Sequence, residues 1–141
     1  MKETIYVFGN GNLSFKNFID YYEKPITQLL NKNVNFVICD FKGVDTLTME
    51  LLKCATPNVS ILHIGEKPRY LCDKYKTKVG QWDIIGGFQS DHERDVAAIN
   101  MCTHFIAYDF NSNENRKSGT QMNIESCLNQ HKIRLKNISL L

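Results

Sequence analysis

Apolar residues arrive in short dense runs along this chain, and each run gives way to small polar residues. Thr4-Ile5-Tyr6-Val7-Phe8 stops at Gly9-Asn10-Gly11-Asn12, and Asn35-Phe36-Val37-Ile38-Cys39 stops at Asp40. Val59-Ser60-Ile61-Leu62-His63-Ile64 closes at Gly65, and Thr103-His104-Phe105-Ile106-Ala107-Tyr108 ends in Asp109 and a polar loop. Such runs fit strands buried on both faces. Lys132-Ile133-Arg134-Leu135 supplies a fifth, shorter one.

Between the runs the period changes to that of a helix. Phe15, Phe18, Ile19, Tyr22, Ile26, Leu29 and Leu30 share one face behind Ser14 as N-cap, with Pro25 placed to bend or divide the segment. Asp45 is expected to cap a helix over residues 46–55, on which Leu47, Leu51 and Cys54 form a stripe. Ser90-Asp91-His92-Glu93 is a capping-box signature for a helix to about Met101. A last helix opens at Ser118-Gly119-Thr120 and runs to about Gln130. This alternation predicts an α/β fold: a three-layer sandwich with a mostly parallel sheet of about five strands and roughly four helices. Residues 1–141 are read as one domain. Residues 66–87 break the rhythm, carrying Lys67, Arg69, Lys74, Lys76 and Lys78 interleaved with Tyr70, Tyr75 and Trp82. A stretch of that length without a period is expected to form a lid or a short helix beside a ligand.

Composition narrows the classes. A formal net charge of +2 argues against nucleic acid as a partner, because such binding usually needs a strongly basic face. Five cysteines without paired short spacings read as reduced thiols, with no metal site among them, and point to the cytoplasm. No apolar run approaches a membrane span, and Met1-Lys2-Glu3-Thr4 leads straight into the first strand, which argues against a signal peptide. His63 and His104 fall in strands and join no recognisable nucleophile set.

The loops after the strands carry the candidate chemistry. In an open parallel sheet, ligands sit beyond the carboxyl ends of the strands where strand order reverses. Gly9 and Gly11 would let backbone approach a ligand, with Asn10 and Asn12 hydrogen bonding to it. Asp40 and Asp45 could hold sugar hydroxyls. Ser118, Gly119 and Thr120 would offer hydroxyls and unpaired N–H groups to a phosphate at a helix start, with Arg116 and Lys117 just before them. Gly9 and Gly11 are not joined by a third glycine, since position 14 is Ser14, so the dinucleotide fingerprint is absent.

With the turn at Gly9 to Asn12, the charged helix before the fourth run, and Ser118-Gly119-Thr120 followed by Asn123 and Glu125, the chain resembles the SLOG superfamily. That Rossmann-like group includes the lonely-guy phosphoribohydrolases and sensors of nucleotide-derived signals, and its layout is similar to nucleoside 2-deoxyribosyltransferases. The resemblance implies a nucleotide-type small molecule with phosphate at Gly11 and residues 118–120, no separate cofactor, and a homo-oligomer whose site a neighbouring chain can complete. In the hydrolase and transferase branches a glutamate acts at the sugar C1′. At the matching position this chain has Asn123, and Glu125 lies about 200° further round the helix. Binding of a nucleotide or its derivative is therefore the first expectation. N-glycosidic cleavage or transfer, using Glu125 or Glu93, is the second. A third is an interaction module in which residues 67–82 meet a protein or single-stranded nucleic acid.

Overall fold

The computed structural model describes residues 2–136; Met1 and residues 137–141 lie outside it. Six strands form one sheet: β1 (Glu3–Val7), β2 (Val34–Cys39), β3 (Val59–Ile64), β4 (Asp83–Phe88), β5 (His104–Ile106) and β6 (Ile133–Arg134). Their order is β4-β3-β2-β1-β5-β6, and every pairing is parallel. Alternate residues supply the two faces. Ile5, Val7, Phe36, Ile38 and Ile61 join one core, and Tyr6, Phe8, Val37, Cys39 and Leu62 join the other. Burial on both sides explains why these strands read as unbroken apolar runs.

The first core is closed by one helical run and by α3 (Val44–Leu52). The run comprises α1 (Phe15–Phe18), a π-helical turn (Ile19–Glu23) and α2 (Lys24–Leu29). The π-helical turn divides it, and Pro25 sits at the start of α2, where the missing N–H costs little. The second core is closed by α4 (Asp91–Met101) and α5 (Gly119–Asn129). Ile99, Ile124 and Cys127 pack there against Tyr6 and Phe105.

Two details depart from the sequence-based expectations. Part of the aperiodic segment is β4, an edge strand paired only with β3, and its Asp83, Ile84, Gly86 and Gly87 are exposed. An edge strand with one glycine pair and one open side need not be continuously apolar, so its run is too weak to stand out. Asp45 does not cap α3. Gly43 occupies that position at φ +75°, where an added Cβ would strike the backbone of Asn10 and Gly11. The chain runs outward from β1 through β2, β3 and β4, then crosses back to place β5 on the other side of β1. The strand order therefore reverses between β1 and β5, and their C-terminal ends leave a crevice there.

Candidate functional site

That crevice holds a cavity of about 330 Å³. One wall is the loop Gly9, Asn10 and Gly11 after β1, and the opposite wall is Ser118, Gly119 and Thr120 at the start of α5, with Arg116. Tyr6, Phe8, Cys39 and Asp45 reach it from the ends of β1 and β2 and from α3. Asp91, Arg94 and Asp95 of α4 and Asn123 of α5 line the remaining side.

The two walls are tied together through strand ends. The Tyr22 hydroxyl donates to the Phe8 carbonyl at 2.8 Å and accepts the Tyr108 N–H at 2.8 Å, joining the exits of β1 and β5. Gly9 passes so close to this hydroxyl that a Cβ would collide with it. Just beyond, the Asp109 carboxylate accepts from the Asn10 side-chain amide at 2.9 Å and from the Ser118 hydroxyl at 2.6 Å. It also takes the Asn111 and Ser112 N–H groups. Burial works to raise its pKa, but the hydrogen bonds from Asn10, Ser112 and Ser118 outweigh this and hold the carboxyl at about 2. Ser118 in turn caps α5 by accepting the Gln121 N–H at 3.0 Å. The Gly119 and Thr120 N–H groups, one turn too early for a partner within the helix, remain unpaired among the described residues. Arg116 is exposed beside them and makes no ion pair among the described residues.

The α4 side carries more charge and less of it is available. Arg94 is only 3 % exposed. Its guanidinium meets Asp40 at 2.7 Å, Asp91 at 2.7 Å and Asp95 at 2.9 Å. Arg69 adds three hydrogen bonds to Asp40, from its backbone N–H and two guanidinium nitrogens, and one to Asp91. Burial favours neutral Asp40, yet the Arg69 and Arg94 bonds prevail and lower its pKa. Arg94 is itself held more firmly protonated: desolvation opposes its charge, but the surrounding acidic groups outweigh it. Asp45 differs. It is buried, accepts the Phe41 N–H at 3.0 Å, and has its pKa pushed up to about 8 by that burial, against the pull of the Phe41 N–H and Arg94.

The nominated residues therefore separate. Gly9, Asn10, Gly11, Asp45, Ser118, Gly119, Thr120 and Asn123 converge on the cavity. Within that set Asn10 is internally satisfied, donating to Asp109 and accepting the Phe110 N–H, and Asn123 donates to Asp95 at 3.0 Å. Asn12 stands aside, bonded to Asn111. Asp40 does not line this cavity; its carboxylate is consumed by the two arginines. Glu93 and Glu125 also lie outside it. Glu93 accepts the Gln89 N–H at the start of α4, and Glu125 pairs with Lys117 at 2.7 Å and with Gln121. The carboxylates at the cavity are Asp45, Asp91 and Asp95 instead. Asp91, Arg94 and Asp95 were readable only as charges suited to a helix start. Their spacing of three and four residues places them on one helix face and was the available signal.

The segment containing residues 67–82 is also revised. Trp82 is 5 % exposed and donates to the Thr56 carbonyl at 2.9 Å, so its ring cannot stack on a partner. Tyr70 is hydrogen bonded to Glu50, while Tyr75 stands exposed beside Lys76. No helix among the described residues is long and apolar enough to cross a membrane.

No protein-family model and no curated protein matches the chain. Among solved structures it is similar to DNA processing protein A from Streptococcus pneumoniae, with 15 % identity and a TM-score of 0.64 over 94 % of this chain and 49 % of that one. It is also similar to DNA processing protein A from Helicobacter pylori, with 13 % identity and a TM-score of 0.53 over 93 % of this chain and 74 % of the other. The chain thus spans about half the length of the first. These likenesses show a Rossmann-like α/β fold; they do not extend to the lonely-guy or deoxyribosyltransferase resemblance. The Helicobacter protein is described by its single-stranded DNA binding mode. This overturns the exclusion of nucleic acid drawn from net charge, because a near-neutral total says little about the field at one crevice.

Proposed function

We propose that the domain binds single-stranded nucleic acid by seating one nucleotide unit in the cavity between β1 and β5. The observation that carries this reading is the convergence of the Gly9–Gly11 wall with the unpaired N–H groups of Gly119 and Thr120 around about 330 Å³ of space. A phosphate belongs at that helix start, where Arg116 adds an uncommitted positive charge. Sugar and base then extend toward Asp45, Asp95 and Asn123. The cavity is within the size range of small-ligand pockets, so one nucleotide fills it and the rest of a strand must leave across the rim. Next in the chain to Asn111 of the cavity lining, Phe110 is exposed and packs edge to face with exposed Tyr21, centroids 5.1 Å apart, a surface suited to stacking a neighbouring base. The described binding mode of the Helicobacter neighbour favours a strand over a free nucleotide.

Fluorescence anisotropy with rhodamine-labelled 15-nucleotide single strands tests the reading, with the duplex of the same sequence as control. Single strands are expected to bind more tightly than duplex, and log affinity to fall with log salt by about 0.7 for each phosphate held. A free nucleotide is the second reading, favoured by the acidic α4 side, where Asp91 and Asp95 suit ribose hydroxyls. Binding of nucleoside monophosphates in calorimetry, without strand binding, would select it. If neither strands nor mononucleotides bind, both readings fall.

A further inference from the structure

Asp45 is the buried carboxyl of the cavity that no cation partners among the described residues. It lies in the first turn of α3, is 5 % exposed, and lines the cavity. One oxygen accepts the Phe41 N–H; no other donor reaches the carboxyl among the described residues. The charges packed around it do not supply a partner. From α4, Arg94 is already shared by Asp40, Asp91 and Asp95, and Asp95 brings a like charge close. From the strands, Asp40, Cys39 and Tyr6 add no cation, and Tyr22 of the helical run uses its hydroxyl on Phe8 and Tyr108. Four carboxylates thus face two guanidinium groups, Arg69 and Arg94, and Asp45 is the one with neither.

We propose that Asp45 enters the cavity as a neutral carboxylic acid and donates its proton in a hydrogen bond to a ring nitrogen or carbonyl oxygen of the bound nucleobase. This rests on the strand-binding reading above and names the contact that reads the base. A buried hydroxyl without an acceptor is costly, so an occupant that displaces water from the cavity must supply one in its place. A phosphate is poorly placed to be that acceptor beside the acidic Asp91 and Asp95; a ribose hydroxyl is better served by those two side chains. The raised pKa of Asp45 agrees with this geometry and places its loss of the proton near pH 8. Binding is then linked to that proton.

The test uses rhodamine-labelled dA15 and the intact protein between pH 6 and pH 9.5. Wild-type affinity is expected to fall about tenfold per pH unit once Asp45 ionises. Asp45→Asn presents an N–H at every pH, so its binding should lose the pH dependence and exceed that of Asp45→Leu throughout. In the unliganded protein, the carbon-13 carboxyl signal that disappears in Asp45→Asn should titrate well above the ordinary aspartate range. Binding that does not vary with pH, equal damage from Asn and Leu, or ordinary titration of that signal would each overturn the donor role while leaving strand binding intact. Failure of dA15 and other strands to bind at any pH would instead remove the reading on which it rests.

Discussion

Arg94 and Arg116 line the same cavity and do different work. Arg94 is buried in α4 and saturated by three aspartates, whereas Arg116 stands in the loop before α5 and pairs with none among the described residues. A buried guanidinium must be compensated before it can be tolerated, and compensation leaves little for a ligand. An exposed one is solvated cheaply and stays available. What distinguishes a binding charge from a structural charge here is therefore the state of its partners, and residue type or nearness to the cavity does not separate them.

The largest way to break this comparison is to remove Arg94. Arg94→Ala leaves Asp40 buried beside a single, partly exposed Arg69, and should cost about 3–5 kcal/mol in a urea titration. A loss below about 1 kcal/mol would mean that the α4 network is not structural. On the other wall, Ser118→Ala removes both the α5 cap and the bond to Asp109, and should cost about 1–2 kcal/mol with weaker strand binding. The Asp109 link also has an acid limb. Its folded pKa lies below the ordinary value, so its stabilisation is complete above about pH 4 and is lost as pH falls through about 2. The melting temperature of the wild type should drop across that window more steeply than that of Asp109→Asn. The smallest effect on stability is expected from Arg116→Ala, within about 0.5 kcal/mol of wild type. It should nevertheless weaken strand binding several-fold and reduce the salt slope by about one phosphate contact. Equal loss of stability in the two arginine variants would erase the distinction.

The position of Asn123 adds a chemical lesson. Its side chain donates to Asp95, while Glu125, two residues on, pairs with Lys117. The cavity still holds carboxylates, but they come from α3 and α4. The carboxylate nominated on α5, Glu125, therefore lies outside the cavity.

The local pattern determined the parallel α/β architecture. Ile5 to Phe8, Phe36 to Cys39 and Ile61 to Ile64 must be covered on both faces, and the helical stripes between them are what can cover them. Ser14, Ser90 and Ser118 also announced their helix starts, because a cap is a contact over three residues and needs no distant partner. The meeting of Gly9 to Gly11 with residues 118–120 agreed with the rule that places ligands where strand order reverses, but the order itself came from pairing across the sheet. β4 was hidden because an exposed edge imposes little apolar demand. The allocation of charge was decided only by tertiary structure. Asp40, Asp45 and Asp95 are the same residue in sequence, and whether each is ionised, paired or left facing the cavity depends on which guanidinium reaches it and how much water burial removes.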